Sequence, residues 1–451
     1  MTETITRKTI QSPRGTHDIL PSQVAGWRLI EEAFRDVCGR FNYKEIRTPA
    51  FEFTDLFDRT AGESSDILVT KQMFTFVAPD EQSYTLRPEG TAGTVRAYLE
   101  NHLNELGPVC KLYYLGPFFR YEAPQAGRYR QFHQCGIELL GASGPESDAE
   151  ILSLAHEFLK AIGISAALHL NSLGTPESRG SFLQRLREFL EPRRCELSED
   201  SQKRLDVNPL RIFDSKDERD HAVLQGAPRL LDHLQEADPE STEHFNRLRG
   251  YLDALGIPYE IDHALVRGFD YYSRTAFEFI SDKLGAQSTV LAGGRYDGLV
   301  EELGGAPTSG IGFGAGIERL LLVREAGQQA TPEPPLTAFL ITMGDTARAA
   351  GVRLLQQLRQ AGIRIDADFV GRSLKAQMRE ANRQNAQFAL LVGDNELAAG
   401  TVALKDMAQG TQETLSLEEA IERLTSLGIR EPGSQGARET APGNETVSSA
   451  E

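Results

Sequence analysis

The chain has 451 residues, enough for about three domains of ordinary size, and 40% are hydrophobic and 25% charged. That composition excludes wholesale disorder, a collagen-like fibre and a disulfide scaffold, and no run approaches the ~20 apolar residues of a membrane span. Lys plus Arg number 48 and Asp plus Glu 65, a formal charge of −17 that excludes indiscriminate attraction to nucleic acid or anionic membranes but not a local basic patch.

Met1 to Ile10 holds no apolar signal-peptide core, so neither a secreted nor a membrane protein is expected. The cysteines, Cys38, Cys110, Cys135 and Cys195, form no C-x-x-C pair and read as small buried apolar residues in a reducing compartment. The first chemistry-bearing segment in chain order is Thr85-Leu-Arg-Pro-Glu-Gly-Thr91. It sets Arg and Glu beside Pro and Gly, as expected where turns present side chains to a charged ligand. Tyr113-Tyr-Leu-Gly-Pro-Phe-Phe-Arg-Tyr-Glu122 and Tyr129-Arg-Gln-Phe-His-Gln-Cys-Gly-Ile-Glu138 predict a long antiparallel hairpin. Strand alternation puts Arg130, Phe132, Gln134 and Glu138 on one face, and His133 and Cys135 on the other. A polar face of that kind either meets a ligand or is simply a solvated sheet face. His133 reads as a packed, satisfied histidine.

Residues 175–256 carry amphipathic helical periodicity and read as an insertion within a larger domain. Beyond it, Leu265-Val-Arg-Gly-Phe-Asp-Tyr-Tyr272 and Ala292-Gly-Gly-Arg-Tyr-Asp297 repeat the combination of Arg and Tyr with Gly. Ser309-Gly-Ile-Gly-Phe-Gly-Ala-Gly-Ile-Glu-Arg319 has glycine at every second position, so one face of the predicted strand is bare backbone, and Arg319 falls near a helix N-terminus, where phosphate is favourable. The alternative is a close-packed strand and helix. Dinucleotide and P-loop fingerprints fail on spacing, no His or Cys pair has metal-ligand spacing, and no G-x-S-x-G elbow occurs. The Pro-rich stretch 326–335 predicts a linker. After it, strands at 338–342, 363–368 and 388–392 alternate with helices at 345–360 and 373–384, and a last helix is expected at 417–427. Residues 431–451 are too polar to bury a core and predict a disordered tail.

The order of Ile46-Arg-Thr-Pro-Ala-Phe-Glu52, Phe119-Arg-Tyr-Glu122 and Gly314-Ala-Gly-Ile-Glu-Arg319 resembles motifs 1, 2 and 3 of the class II aminoacyl-tRNA synthetases, and class I signatures are absent. The blocks at 265–272 and 292–297 look like those peculiar to the histidyl-tRNA synthetase family, and Arg-Pro-Glu-Gly-Thr91 with Arg128-Tyr-Arg-Gln-Phe-His-Gln134 like its bacterial branch. The resemblance covers roughly residues 10 to 430. It implies an α/β protein: an α+β catalytic domain over 1–325, whose antiparallel sheet is flanked by helices and interrupted by the helical insertion, then the linker, an α/β anticodon-binding domain over 336–430 and the tail.

The implied activity joins L-histidine to its tRNA through histidyl-adenylate, with ATP as substrate and Mg²⁺ accompanying it, in a cytoplasmic homodimer with Pro49 in the motif that builds the interface. No resident metal and no membrane contact are implied. The resemblance gives Arg267, Arg120 and Arg319 to catalysis at the phosphates, with Glu122 completing the ATP site. It gives Glu89, Gly90, Thr91, Gln134, Glu138, Tyr271, Tyr272, Tyr129, Tyr296 and again Arg267 to histidine, and Gln125 and Arg128 to the tRNA acceptor end. A neutral imidazole presents one donor and one acceptor, which Glu138 and Tyr272 match. The rival is a regulatory paralogue that binds histidine for an ATP phosphoribosyltransferase without activating it; the presence of Arg120, Arg267, Arg319 and the C-terminal domain speaks against it. Arg372, Lys375, Arg379 and Arg383 would form one basic stripe on a helix, either an anticodon-side contact or an ordinary solvated face.

Overall fold

The computed structural model describes residues 9–61, 72–123, 127–266, 271–329 and 335–428. The chain divides into two units, Met1–Thr331 and Pro332–Glu451. Gln125, Arg267, residues 330–334 of the predicted linker and the predicted tail lie outside the described residues.

In chain order the first unit contributes β1 (Lys44–Glu45), β2 (Phe51–Phe53), β3 (Phe74–Val77), β4 (Ser83–Leu86), β5 (Cys110–Phe119), β6 (Gln131–Leu140), β7 (Ala167–Ser172), β8 (Glu260–Ile261), β9 (Ser273–Ile280), β10 (Thr289–Arg295) and β11 (Gly310–Gly316). Eight of them form one sheet in the order β1-β5-β6-β11-β10-β9-β7-β8, while β2, β4 and β3 form a separate small sheet. The large sheet is antiparallel except at its outermost pairs, β1 with β5 and β7 with β8.

Two long helices cover one face of this sheet. Pro21–Arg40 starts on a proline at its first position, with the Leu20 N–H donating to Gln23 Oε1 at 3.0 Å. Its buried residues, Trp27, Ile30, Phe34, Val37 and Cys38, recur at helical spacing and make one apolar stripe. Phe34 meets the rings of Tyr113, Phe158 and Phe313 edge-on at 5.8, 5.0 and 6.5 Å, joining this helix to Pro145–Ala161 and to the sheet. Truncating so central a ring to alanine costs about 3–5 kcal/mol.

The helical stretch expected at 175–256 is helical, but it splits between two cores. Phe182, Leu186, Leu190, Leu205, Ile212 and Leu234 build a second core together with Leu265, Val266 and Ala276 from outside the stretch, whereas Phe245, Leu248 and Leu252 of the last helix, Pro239–Leu255, join the core beneath the main sheet. Asp238 ties the two ends of the excursion. Its carboxylate accepts the N–H of Thr175 at 3.1 Å, the hydroxyl of Ser178 at 2.8 Å and the N–H of Ser241 at 2.9 Å. Burial opposes the charge on Asp238, yet these donors hold its carboxyl down at about 2.

The second unit adds β12 (Ala338–Thr342), β13 (Ile365–Ala367), β14 (Phe388–Val392), β15 (Thr401–Asp406) and β16 (Gln412–Ser416), ordered β13-β12-β14-β15-β16. The first three are parallel, with helices Asp345–Gln360 and Leu374–Arg383 as the crossovers. The antiparallel pair β15 and β16 goes beyond what the sequence pattern predicts. Its outer strand, Gln-Glu-Thr-Leu-Ser, is exposed at its first three positions and lacks apolar alternation.

The cysteine reading needs correction. Cys38 and Cys135 are buried, but Cys110 is only half-buried and Cys195 is exposed, on the short helix Glu191–Glu196, where none of the residues is buried.

Candidate active site

The hairpin β5–β6 and the glycine strand β11 make the floor of a cleft in the first unit. In β6, Phe132 and Gln134 face the cleft, while Cys135 is buried in the main core, as alternation requires. His133 also turns away. Its backbone N–H donates to both oxygens of Glu318 at 2.9 and 3.0 Å, its Nδ1 lies 3.1 Å from Glu318 Oε1, and Trp27 meets its ring edge-on at 4.8 Å. It is a satisfied structural histidine.

The bare face of β11 is used in two ways. At Gly312 an added Cβ would lie 2.1 Å from Glu138 Oε2, and at Gly310 it would lie 2.3 Å from the ring of Tyr296, so both glycines make room for those side chains. Gly314 and Gly316 instead open into the cleft, where an added Cβ would meet nothing nearer than 3.8 Å.

Glu138 is therefore enclosed, 1% exposed, beneath the floor. Thr91 Oγ1 donates to its Oε1 at 2.7 Å, Tyr114 OH donates to the same oxygen at 3.2 Å, and Tyr296 OH donates to Oε2. Burial pushes its carboxyl up to about 8; the hydroxyls of Tyr296 and Thr91 act against that rise, and neighbouring Glu89 adds to it. Glu89 is buried beside the N-terminus of helix Thr91–Glu100, accepting the N–H groups of Thr91 and Ala92 at 2.7 Å each, and burial raises its carboxyl too. Tyr271 packs at 4.8 Å from the ring of Tyr272 and edge-on at 5.9 Å from that of Tyr296.

Cations gather on the other side of the cleft. Arg120 Nε donates to the Pro88 carbonyl at 2.8 Å and its guanidinium sits 5.3 Å above the Phe132 ring. Arg319 Nη1 donates to the Thr289 carbonyl at 2.5 Å, and burial depresses its pKa, with Arg128 and Arg120 adding to the effect. Arg128 Nη1 donates to Glu122 Oε2 at 3.3 Å, and Arg120 stands 4.0 Å from Glu122 Oε1. Three guanidinium groups around one carboxylate leave an excess of positive charge suited to phosphate oxygens.

The cleft holds about 310 Å³, and among the residues singled out in the sequence Glu89, Gly90, Thr91, Arg120, Glu122, Arg128, Tyr129, Gln134, Tyr271, Tyr272 and Arg319 line it. Two expected residues are placed differently. Glu138 and Tyr296 are not on the wall; each is 1% exposed, because the glycine strand lets them sink to the level of the sheet. Arg267 and Gln125 fall outside the described residues. Sequence reasoning missed Tyr114, whose aromatic alternation in β5 was the available signal, and the lining residues Thr289 to Ala292 of β10.

The predicted stripe in the second unit is not one continuous helical row. Arg372 precedes helix Leu374–Arg383, since Ser373 is extended (φ −63°, ψ 155°), and it pairs with Asp368 and Glu380. Arg383 pairs with the same Glu380, while Lys375 and Arg379 are both exposed. Among the described residues no three His, Cys, Asp or Glu side chains are grouped so as to hold a metal ion, and no helix is long and apolar enough to cross a membrane.

Comparison with known proteins supplies the context for this geometry. Residues 15–320 match the family model described as histidyl-tRNA synthetase, and residues 337–427 match that of an anticodon binding domain. Curated relatives named histidine–tRNA ligase include one from Synechococcus sp. (strain JA-3-3Ab), 47% identical over 418 residues, spanning 92% of this chain and 99% of that protein. Another, from Rhodospirillum rubrum, is 49% identical over 410 residues, 90% of this chain and 97% of its own length. Among solved structures, the apo histidyl-tRNA synthetase of S. aureus superposes with a TM-score of 0.78 at 41% identity, over 92% of this chain and all of that one.

Proposed function

The chain belongs to the histidyl-tRNA synthetase family, and from that premise we propose that the cleft above Glu138 is where histidine and ATP react. The activity is that of a histidine–tRNA ligase, which takes ATP, histidine and tRNA as substrates. A histidine-sensing regulatory subunit is disfavoured, because relatives named as ligases match through the C-terminal domain as well as the first unit.

The observation that carries the reading is a buried carboxylate with three hydroxyl partners, set under a cleft whose opposite side holds Arg120, Arg128 and Arg319. Three donors leave Glu138 room for one more, and an imidazole N–H is the donor of the right size, with the Tyr272 hydroxyl serving the other ring nitrogen. Glu89, Gly90, Thr91 and Gln134 hold the α-amino end; Tyr129, Tyr271 and Tyr296 shape the pocket. Attack of the histidine carboxylate on the α-phosphorus crowds negative charge, which Arg267, Arg120 and Arg319 counter, with Glu122 on the adenine side. Arg128 and Gln125 are assigned to the tRNA acceptor end. Mg²⁺ would accompany ATP, bound chiefly by its phosphate oxygens.

Residues 336–430 serve the anticodon end. Dimerisation is supported by the small sheet that follows exposed Pro49, where Phe51, Phe53 and Phe76 surround Tyr84 and are themselves 49%, 56% and 44% exposed. Four unbridged cysteines suit a cytoplasmic setting.

Histidine-dependent exchange of pyrophosphate into ATP tests the assignment. Arg267→Ala should slow it by orders of magnitude, since such a transition-state contact is worth roughly 3–4 kcal/mol. Glu138→Ala should raise KM for histidine far more than KM for ATP. Near-normal exchange in the first variant, or equal KM shifts in the second, overturns the corresponding role.

A further inference from the structure

The two segments that flank the imidazole pocket, 271–275 and 292–297, are held together by one carboxylate that does not line the cleft. Asp148, 0% exposed, lies on helix Pro145–Ala161. One of its oxygens, Oδ1, accepts from Arg295 Nε at 3.1 Å and from Arg295 Nη2. The other, Oδ2, accepts from Thr275 Oγ1 and lies 2.7 Å from His244 Nε2. Arg295 is itself fully enclosed. Its Nη1 donates to the Ala142 carbonyl at 3.0 Å and Asp297 Oδ1 at 3.1 Å, and its Nη2 to Ser147 Oγ at 2.7 Å.

The backbone shows why such an anchor is needed. Pairing of β9 with β10 runs regularly from Leu291 and Phe279 to Gly294 and Ala276, then jumps so that Arg295 opposes Ser273, leaving Arg274 and Thr275 as a bulge. Arg274 takes the left-handed conformation at φ 45°, unfavourable for any residue with a side chain. Tyr271 and Tyr272 lie immediately before this bulge and Tyr296 immediately after Arg295, so its shape fixes the aim of all three rings. Asp148 grips both sides, Thr275 from β9 and Arg295 from β10.

We propose that Asp148 is a positioning residue for histidine selection, acting through Thr275 and Arg295 to set Tyr272 and Tyr296 against Glu138. This rests on the reading of Glu138, Tyr272 and Tyr296 as the imidazole site. Asp148 belongs to neither flanking segment and lies 127 and 147 residues from its strand partners, which is why no motif announced it.

The test is steady-state pyrophosphate exchange with the full-length enzyme, comparing Asp148→Asn, Thr275→Val, Tyr296→Phe and the double variant Asp148→Asn with Tyr296→Phe. Asp148→Asn should raise KM for histidine at least tenfold while KM for ATP changes less than twofold, and Thr275→Val should show the same selectivity at about threefold. Once Tyr296 has lost its hydroxyl, Asp148→Asn should add clearly less than its single-variant effect, because the two act on one contact. Equal rises in both KM values, or effects that multiply independently, overturn the proposal. If Asp148→Asn does not fold, Thr275→Val decides alone: an unchanged histidine KM refutes it. If Tyr296→Phe leaves histidine KM unchanged, the pocket assignment fails first, which separates the two conclusions.

Discussion

Glu138 holds its proton to about pH 8, against 4.5 for an unburied glutamate, so at neutral pH the empty pocket contains mostly a carboxylic acid. Histidine brings an imidazole whose own pKa is about 6.5. Holding a neutral imidazole by its N–H requires the carboxylate form of Glu138, so between these values binding releases the one proton that Glu138 carries, and below about pH 6.5 a second leaves from the imidazolium. Above about pH 8 neither free partner carries a proton to lose. Histidine affinity measured by calorimetry should accordingly rise with pH and level off above about pH 8, and Glu138→Gln should remove the rise between about pH 6.5 and 8. For the empty protein the sign is equally definite. The folded state binds the proton more tightly than the unfolded chain, so stability from this group is fully present below pH 4.5 and is lost as pH rises toward about 8. Tm without histidine should decline over that range, and less steeply in Glu138→Gln. Glu138 itself was legible, since period-two alternation in the Tyr129–Glu138 stretch put it with Gln134. Its depth was not, because that depends on Gly312 of a strand 174 residues later in the chain, paired directly opposite it.

The glycine strand β11 permits a sharp comparison between neighbours on one face. Gly312→Ala would drive a methyl to 2.1 Å from Glu138 Oε2 and 2.3 Å from the Ile137 carbonyl, which belongs to the paired backbone and cannot yield. Overpacking of this kind costs about 1–3 kcal/mol, so a lowered Tm and weakened histidine binding are expected. Gly314→Ala has room and should keep its Tm, yet its methyl stands in ligand space and should raise KM. In the second unit, helix Leu374–Arg383 carries Lys375 and Arg379 away from Glu380, which serves Arg372 and Arg383. Reversing Lys375 and Arg379 to glutamate should weaken tRNA binding and flatten its salt dependence by about one log-log unit for each phosphate no longer neutralised. Arg383→Gln should change the slope less, and an unchanged slope in the double reversal would move the RNA-binding surface to another face. Long periodic helices were legible from sequence at this scale; edge strand β16 and the start of helix Leu374–Arg383 were not, since an edge strand and cap geometry leave little apolar pattern, and interior β15 offers only the short apolar run Val402 to Leu404.

Each unit closes its own apolar clusters. The clusters around Leu340, Leu358 and Leu390, and around Phe339, Ile341 and Ala389, draw only on the second unit. A fragment of residues 335–428 should therefore unfold in one cooperative urea transition, and residues 1–329 should retain histidine-dependent exchange; a fragment without a transition would show that its core needs the rest of the chain. Division of the chain was readable from composition, because proline and glycine punctuate it near residue 330. How the insertion closes on itself was not, because Asp238 does this through Thr175 and Ser178, partners 63 and 60 residues away. Among all 451 residues there is a single tryptophan, Trp27, nearly enclosed and edge-on to His133. That histidine sits between Phe132 and Gln134, both on the cleft wall. Light absorbed at the red edge of the protein spectrum thus excites one chromophore one side chain removed from the substrates, and its emission can follow their arrival in real time without any label.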